Sequence, residues 1–265
     1  MLLKDQVAVV YGGGGAIGGA VARRFGREGA TVYLAGRSRA KLEVVARDVT
    51  AAGGRARVAV VDALDEAAVV EHVAAVTAEA GRLDIALNAV GHAHVQGKPL
   101  TELSLAEFEA PLQAYGRSQF IIAKSATKPM LERGSGVLLV LSTPGARRGF
   151  AGVLGFGATC GAIEALTRHL ACELGPRGVR VVCLRPDAVP ETVDLGSHAR
   201  EVFQPFADRA GVTLAQMLHP STNASVLKRY PRLEEVASAA VFAASDQGSA
   251  MTGAVMNLTC GSVFD

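Results

Sequence analysis

Short apolar runs, each the length of one β-strand, alternate with segments of helical periodicity along almost the whole chain. The strand-like runs lie at residues 6–11, 31–36, 56–61, 83–90, 136–142, 179–184 and 254–259. Strands that are apolar throughout are typical of parallel sheets, because helices bury such sheets on both faces. The pattern therefore predicts one α/β domain over residues 1–265, with a doubly wound parallel sheet of about seven strands and helices on both faces.

The helical segments fill the spaces between these strands, at residues 16–29, 39–54, 65–81, 104–133, 153–174 and 233–245. Pro111 falls within the longest of them. Proline has no backbone N–H and its ring clashes with the preceding turn, so we expect Pro111 to kink or restart this helix.

One long segment, residues 186–231, contains at most one or two short helices by its pattern. Loops of this length in compact folds usually serve as lids or binding loops. Its apolar side chains would then form a wall against an apolar substrate: Leu195, Val202, Phe203, Phe206, Leu214, Met217 and Leu218. The alternative is an ordinary packed subdomain, and the two interpretations overlap.

The overall composition excludes several functional classes. A formal net charge of +2, with scattered basic residues and no tryptophan, disfavours nucleic-acid binding. No apolar run approaches the ~20 residues that a membrane span needs, and acidic Asp5 interrupts the region where a signal peptide would be apolar. The four cysteines form no CxxC motif and are expected to be reduced thiols. We expect a soluble, cytoplasmic protein.

A glycine-rich turn, YGGGGAIGG at residues 11–19, follows the first predicted strand and opens the first helix. Gly13, Gly15 and Gly18 satisfy GxGxxG. Glycines let the backbone turn tightly and approach a pyrophosphate, which the amide groups and positive dipole end of the helix then bind. The motif in this context predicts a dinucleotide site; the alternative is a tight turn that binds nothing.

The end of the second strand bears on the choice of cofactor. Proteins that bind NAD place an acidic residue near this point, on the ribose hydroxyls, whereas an arginine accommodates the 2′-phosphate of NADP. This chain has Gly36 followed by Arg37, with Arg39 and Lys41 close by. The sequence therefore favours NADP(H), with NAD(H) as a possible cofactor; the alternative for Arg37 is a solvated surface charge.

With these motifs in place, the chain resembles the short-chain dehydrogenase/reductase family, over nearly its whole length. Gly12, Ala16 and Gly18 fall on the glycines of the family's TGxxxGxG motif, with Tyr11 in place of its threonine and Ala16 in place of its middle glycine. Asp62 matches an aspartate that contacts adenine, and LNAVG at residues 87–91 falls where the family has NNAG. RPDAV at residues 185–189 falls on the turn near the nicotinamide, with Asp187 in place of glycine.

The resemblance implies a Rossmann-type fold and a set of cofactor-binding residues. These are Gly12, Gly14, Gly15, Ala16, Ile17, Gly18, Arg37, Asp62, Ala63, Asn88, Ala89, Gly91, Pro186, Asp187 and Val189. It also implies a homodimer or homotetramer, formed through the helices at 104–133 and 153–174.

The family's catalytic positions depart furthest from the pattern. Aligned on the helix that contains its YxxxK motif, the family's serine falls on Thr143, its tyrosine on Phe156 and its lysine on Cys160. A fourth position, an asparagine, falls on Tyr115. Phenylalanine has no proton to transfer, and losing a positioned general acid typically costs ~10²–10⁴ in rate. The chain thus resembles an atypical member that lacks the YxxxK pair.

Four side chains remain as substitutes for the missing proton donor. Tyr115 carries a phenol, although it could instead be packed at a helix interface. His92 and His94 lie in the loop after the fourth strand and titrate near neutrality, although a solvated loop would explain them as well. Cys160, near a helix N-terminus, is either a reactive thiolate or an inert buried thiol. The HxH pair has no apparent third ligand, so no metal site is predicted.

Two hypotheses follow from the sequence. In the first, the protein is an NADP(H)-dependent oxidoreductase acting on a medium-sized, mostly apolar carbonyl or alcohol, with Tyr115 or a loop histidine as acid and Thr143 holding the oxygen. In the second, it binds the cofactor without redox turnover, as a sensor, a partner subunit or a non-redox enzyme.

Overall fold

Seven parallel strands form one sheet in the order β3-β2-β1-β4-β5-β6-β7. The structure is a computed structural model that describes residues 1–195, 197–219 and 225–265. The strands are β1 Val7–Tyr11, β2 Thr31–Gly36, β3 Arg55–Val60, β4 Ile85–Asn88, β5 Gly136–Leu141, β6 Val179–Pro186 and β7 Ala254–Leu258. The predicted doubly wound parallel sheet is confirmed.

Eight α-helices accompany the sheet within the part of the chain that the structure describes. They are α1 Ala16–Arg27, α2 Arg39–Ala51, α3 Glu66–Ala80, α4 Leu105–Arg133, α5 Leu154–Leu174, α6 Ala199–Arg209, α7 Leu214–Met217 and α8 Leu233–Ala244. Helix α1 packs against α2 and α8, whereas α4 packs against α3 and α5.

The core is divided by the sheet, because successive side chains of a strand point to opposite faces. In β1, Ala8 and Val10 belong to the cluster that includes Phe25 of α1. Val9 and Tyr11 belong to the opposite cluster, which includes Met130 of α4. Burial on both faces explains why these strands are apolar throughout.

Helix α4 is the main difference from the predicted elements. It runs unbroken from Leu105 to Arg133 although it contains Pro111 and Pro129, so the helix does not restart at Pro111. Its start is well defined, since the Ser104 side chain accepts a bond from the Glu107 N–H and the Glu107 carboxylate accepts one from the Ser104 N–H. A buried, packed face evidently outweighs the lost hydrogen bond at Pro111.

The sheet topology decides where a ligand can enter. Strand β1 lies between β2 and β4. The sheet therefore extends from β1 through β2 and β3 on one side and through β4 to β7 on the other. In open α/β sheets, ligands bind at this reversal, beyond the carboxyl ends of the strands. The polar ends of β1 and β4, Tyr11 and Asn88, lie side by side there.

The predicted loop segment 186–231 contains a 3₁₀ turn at Pro190–Val193 followed by α6 and α7. Ala207, Leu214 and Leu218 form a small apolar cluster of their own within it. Residues 196 and 220–224, which fall in this segment, lie outside the described residues. None of the helices described in the chain is both long enough and apolar enough to span a membrane.

Candidate functional site

A cavity of about 880 Å³ opens at the carboxyl ends of the strands, beside the reversal at β1. One end is lined by the glycine turn after β1 and by the start of α2. The other end is lined by the start of α5, the turn after β6 and helix α6. The predicted cofactor positions and the predicted catalytic positions therefore face a single cavity.

The glycine turn is held to the sheet through its backbone. The N–H groups of Gly12 and Gly13 both donate to the Ala35 carbonyl oxygen, at 2.9 and 3.1 Å. Gly12 has φ +77°, and a Cβ added to it would lie 2.4 Å from the Ala89 oxygen. No other residue type fits here, because a side chain would meet the backbone of the neighbouring loop.

The first turn of α1 is left open toward the cavity. Gly15 is its N-cap, makes no side-chain capping bond, and is followed by no acidic residue in the first turn. Gly14, Gly15, Ala16 and Ile17 all line the cavity. A helix start without a competing carboxylate suits an anionic group, since its amide groups and dipole favour negative charge.

Gly18 has a different position from its neighbours. It does not line the cavity; instead, a Cβ added there would lie 2.3 Å from the Gly12 oxygen. This glycine lets α1 pack closely against the turn, so any part it has in cofactor binding would be indirect.

The end of β2 presents basic residues to the cavity. Gly36, Arg37, Ser38, Lys41 and Leu42 line it, and no carboxylate is found among them. Arg39 points elsewhere, with its guanidinium 3.8 Å from the Glu43 carboxylate. A planar guanidinium at this point is suited to bind a phosphate through paired hydrogen bonds.

Asp62 and Ala63 line the cavity after β3, where the resemblance places the adenine. The Asp62 carboxylate accepts a bond from the Leu64 N–H at 3.0 Å, which orders the turn. Tyr11 also reaches this end of the cavity, but its hydroxyl lies 3.1 Å from Nδ1 of His72 on α3. Burial lowers the pKa of His72 to about 4 and raises the pKa of Tyr11, so both side chains are neutral.

Asn88 supports the loop after β4 without facing the cavity. Its amide donates to the Gln119 oxygen at 2.8 Å, and its own oxygen accepts from the Val90 N–H at 3.1 Å. Ala89 and Gly91 line the cavity. A Cβ on Gly91 would lie 2.2 Å from the ring of His198, at the start of α6, so the loop and the 186–231 segment are in direct contact.

Tyr115 projects from α4 into the cavity wall. Its hydroxyl oxygen accepts from the His92 N–H at 3.1 Å and donates toward the His92 carbonyl at 3.4 Å. The His92 ring is fixed by Ser118, whose hydroxyl is 3.0 Å from Nε2. Burial raises the pKa of Tyr115 to about 12 and lowers the pKa of His92 to about 4. The phenol thus keeps its proton, and the imidazole is neutral near pH 7.

His94 lies flat against Phe156, with ring centroids 4.1 Å apart and planes at 15°. Its Nδ1 is 2.8 Å from the His92 carbonyl oxygen, so this nitrogen carries the ring proton. The other nitrogen, Nε2, is 2.7 Å from the side-chain amide of Gln96. Burial lowers the pKa of His94 to about 4, which leaves a neutral ring as well.

Thr143 and Cys160 contact each other at the centre of the site, with 3.2 Å between Oγ1 and Sγ. Burial raises the pKa of Cys160 to about 11, so the side chain is a thiol rather than a thiolate. The hypothesis of a reactive thiolate therefore has no support in this geometry, because thiolates need a nearby positive charge or an exposed setting.

The turn after β6 completes the cavity. Pro186, Asp187, Ala188 and Val189 line it, and Thr192 closes the turn by donating to the Val189 oxygen at 2.7 Å. Above this turn, α6, α7 and the residue that ends α7 contribute Val202, Phe203, Phe206, Met217 and Leu218. Of the apolar residues expected to form this wall, Leu195 is exposed and Leu214 packs within the segment.

The cavity thus brings together all of the proposed site residues except Gly18 and Asn88. The sequence did not point to His198, whose ring centroid is 5.8 Å from that of His94. A histidine in an irregular segment carries no local pattern, so only the return of the chain over the sheet brings it here. Within the described ranges 1–195, 197–219 and 225–265, no cluster of three potential ligands could hold a metal ion.

Comparison with known proteins bears on this arrangement. A family model described as enoyl-(acyl carrier protein) reductase matches residues 14–262. Levodione reductase from Leifsonia aquatica is 30% identical over 261 residues, covering 97% of this chain and 94% of that protein. A 1,6-dihydroxycyclohexa-2,4-diene-1-carboxylate dehydrogenase from Pseudomonas putida is 32% identical over 260 residues, covering 97% of this chain and 93% of that protein.

Solved structures that resemble this chain are of the same kinds of enzyme, dehydrogenases and reductases. The crystal structure of NAD⁺-bound xylitol dehydrogenase superposes with a TM-score of 0.85 at 25% identity, covering 98% of this chain and all of that one. The crystal structure of levodione reductase gives a TM-score of 0.83 at 28% identity and 97% coverage of both chains. This protein therefore belongs to the short-chain dehydrogenase/reductase family of oxidoreductases, which act on alcohol and carbonyl substrates.

Proposed function

We propose that this protein is an NADP(H)-dependent oxidoreductase that interconverts a medium-sized, mostly apolar carbonyl compound and its alcohol, using a non-standard proton donor. The observation that carries the proposal is a single cavity that joins the uncapped start of α1 and Arg37 at one end to Thr143 and Tyr115 at the other. When bound, the nicotinamide cofactor would supply or accept the hydride.

The preference for NADP(H) is supported by the charges at the end of β2. Arg37 and Lys41 face the cavity where an NAD-selective site would present a carboxylate. NAD(H) is the weaker alternative, and it is the cofactor named for the xylitol dehydrogenase that this chain resembles in fold.

The substrate class is supported by the wall that α6 and α7 provide. Val202, Phe203, Phe206, Met217 and Leu218 give the cavity an apolar side next to the catalytic positions. Ligand sites of this kind bind mainly through apolar contact, with a few polar groups that fix the orientation. Thr143 would be the polar group that holds the reacting oxygen.

The proton donor is supported by the protonation states around Thr143. A general acid needs a proton to give, and Tyr115 keeps its proton because burial raises its pKa to about 12. His92 and His94 are neutral near pH 7, with pKa values of about 4, and a neutral imidazole suits the reverse role of accepting an alcohol proton. We therefore place Tyr115 as the donor in carbonyl reduction and the loop histidines as candidates for alcohol oxidation.

The second candidate function is cofactor binding without redox turnover. It is favoured by the side chains at the family's tyrosine and lysine positions. Phe156 is stacked on His94, and the Cys160 thiol is hydrogen-bonded to the Thr143 hydroxyl. Neither contact moves a proton to a substrate. A sensor or a partner subunit would need only the cofactor end of the cavity, whereas a non-redox enzyme would use the rest of the pocket for other chemistry.

One experiment separates these functions. NADPH binding is measured first by fluorescence titration, and the protein is then assayed with panels of apolar ketones and secondary alcohols. Binding with turnover supports the oxidoreductase, and binding without turnover on any substrate supports the second function. If neither NADPH nor NADH binds at millimolar concentration, both proposals are wrong.

The donor is tested with Tyr115→Phe, which should lower carbonyl reduction by about 10²–10⁴-fold while NADPH binding is retained. Tyr33→Phe is the matched control, because Tyr33 lies on β2 beside Glu79 and does not line the cavity. Unchanged hydride transfer in Tyr115→Phe would remove Tyr115 from the mechanism and leave the histidines as candidates.

We also propose that the protein forms a homodimer or homotetramer through α4 and α5. Support comes from large apolar side chains exposed on these packed helices, Phe120 on α4 and Leu154 on α5. Light scattering tests this proposal, and a monomeric mass at micromolar concentration would contradict it.

A cytoplasmic location stays a prediction, consistent with four cysteines that are all free.

A further inference from the structure

The residues after β7 fold back across the end of β6. We call residues 259–265 the closing turn. Cys260 and Gly261 reverse the chain with φ values of 54° and 81°. The Asn257 amide then donates to the Val263 oxygen at 2.8 Å, and the Val263 side chain is buried. The closing turn is therefore a packed part of the fold, directly behind the turn that lines the cavity after β6.

The first link between the two turns is a short hydrogen bond from the Ser262 hydroxyl to Oδ2 of Asp187. The other carboxylate oxygen of Asp187 accepts from the Ala188 N–H at 2.7 Å. Asp187 is a cavity-lining residue and stands where the family pattern has glycine. A carboxylate at this place gives the turn an anchor outside the cavity that a glycine would lack.

The second link involves Arg185, whose side chain is completely buried. Its Nη2 donates to the Asp265 carboxylate, and its Nε lies 3.4 Å from Oε1 of Glu164 on α5. Among the residues described, neither Nε nor Nη1 of Arg185 has a hydrogen-bond partner, so the contact with Glu164 is an ion pair only. A buried guanidinium is costly unless anionic groups neutralise it, so Arg185 depends on these two carboxylates.

Glu164 extends this second link to the catalytic positions. Its carboxylate also accepts from the Ser142 hydroxyl at 2.8 Å, and Ser142 directly precedes Thr143. Glu164 follows Cys160 by four residues and shares its helix face. The Arg185 side chain thus connects the closing turn to the end of β5 and to α5.

The two links lie on either side of Pro186, at Arg185 and Asp187. Because Ser262 and Asp265 do not line the cavity, these links restrain the Pro186–Val189 turn from outside it. The carbonyl oxygen of Cys260, in the closing turn, also accepts a hydrogen bond from the Leu227 N–H at 3.0 Å. Leu227 belongs to the described part of the 186–231 segment that follows residue 224. The closing turn therefore contacts both the turn after β6 and the last part of the 186–231 segment.

We propose that Ser262 and Asp265 are positioning residues that hold the Pro186–Val189 turn in the geometry that receives the nicotinamide ring. The inference rests on the proposed function, because that function places the nicotinamide end of the cofactor here. The simpler alternative is that the closing turn only stabilises the fold. A purely structural role would affect all parts of the cofactor alike, whereas a positioning role would affect only the nicotinamide end.

The test compares two ligands that differ only at that end. NADPH and 2′-phospho-ADP-ribose share the adenine, the 2′-phosphate and the pyrophosphate, but the second has no nicotinamide. Binding of both to the full-length protein is measured by calorimetry for wild type, Ser262→Ala and Asp265→Asn. NADH and ADP-ribose are the corresponding pair should the unphosphorylated cofactor bind more tightly.

We expect each variant to weaken NADPH binding about tenfold, while 2′-phospho-ADP-ribose binding stays within about twofold of wild type. Each variant loses a hydrogen bond that involves a charged group, and that bond supports only the turn proposed to receive the nicotinamide. The dihydronicotinamide fluorescence of the saturated complex should also move toward that of free NADPH. Ser262→Thr keeps the hydroxyl and should restore both readouts. Asp48→Asn, which breaks an exposed pair with Arg23 on α1 and α2, is the control and should change neither.

An equal loss for both ligands, or no loss for either, in Ser262→Ala would overturn the inference while leaving the proposed function intact. If wild type binds neither ligand, the proposed function is wrong and the inference falls with it. Asp265→Asn leaves Arg185 with one carboxylate and could reduce folding, so the Ser262→Ala and Ser262→Thr pair decides the outcome, with circular dichroism melting as the check on folding.

Discussion

At the scale of single residues, two glycines decide how closely the turn after β1 approaches the loop after β4 and helix α1. Gly12 faces the Ala89 backbone, and Gly18 faces the oxygen of Gly12 itself. Both contacts are with backbone atoms, which cannot rotate away as a side chain could. The space in front of α1 is therefore a consequence of missing Cβ atoms rather than of particular side chains.

Gly18→Ala should destabilise the protein by about 1–3 kcal/mol, because the new methyl group would overlap the Gly12 oxygen. Gly116→Ala is the matched control, since Gly116 is also within a helix but has nothing within 4 Å of an added Cβ. That variant should be more stable by about 0.5–1 kcal/mol. Urea denaturation measures both, and a stable Gly18→Ala would contradict the packing described for this turn.

Arg37 carries the prediction of cofactor preference at this scale. Arg37→Ala should weaken NADPH binding by about 10–100-fold and NADH binding by less than threefold, because only NADPH has the 2′-phosphate. Arg39→Ala removes an exposed arginine two residues away that pairs with Glu43, and it should leave both affinities unchanged. Parallel losses for both cofactors in Arg37→Ala would rule out a phosphate-specific role.

At the scale of elements, α5 and α4 supply the proposed catalytic half of the cavity. Phe156, Cys160 and Glu164 follow one another at four-residue spacing, so a single face of α5 meets Thr143, His94 and Arg185. Helix α4 contributes Tyr115 and, through Ser118, fixes His92. The position of either helix along its axis therefore sets the distances between the proton-bearing groups.

The capping box at Ser104 is expected to determine where α4 begins. Ser104→Ala removes the bond to the Glu107 N–H and should lower the free energy of unfolding by about 1 kcal/mol. Ser104→Thr keeps an oxygen in the same place and should stay close to wild type. Chemical denaturation gives both values; an unchanged midpoint for Ser104→Ala would show that the cap contributes nothing.

At the scale of the whole molecule, buried neutral histidines link stability to pH. Burial lowers the pKa values of His72, His92 and His94 to about 4, from 6.5 in the absence of the fold. As the pH falls from 7 to 5, the unfolded chain binds protons that the folded protein excludes, so the folded state loses stability. The carboxylates of Glu107 and Glu235 have pKa values of about 2, so their contribution to stability is lost only at lower pH.

Each of these histidines should lower the free energy of unfolding by about 2 kcal/mol between pH 7 and pH 5. His72→Gln should reduce the wild-type loss by this amount, whatever it does to stability at pH 7. Gln113→Asn, at an exposed position of α4, is the control; it changes no titratable group and should keep the wild-type dependence. Urea titrations at the two pH values provide the measurement, and an identical pH dependence in His72→Gln would contradict the neutral, buried state of this ring.

Much of the fold, and many of the residues that line the proposed cofactor end of the cavity, could be predicted from the sequence. Strand β1 and the turn after it are short-range features: an apolar run, glycines at a fixed spacing and a helix start, all within residues 6–29. The conformations they require depend on neighbours in the chain, so the local pattern is sufficient. Arg37 could be found in the same way, because it directly follows a strand end.

The arrangement at the proposed catalytic end of the cavity was decided only by the tertiary structure. The stack of His94 on Phe156, the contact of His198 with Gly91 and the burial of Arg185 between Glu164 and Asp265 join residues far apart in the chain. The unbroken course of α4 through Pro111 likewise reflects packing against α3 and α5 rather than local preference. Sequence periodicity and spacing determined which elements form and where we propose that a dinucleotide binds, whereas protonation states and long-range contacts depend on burial, which exists only once the chain has folded.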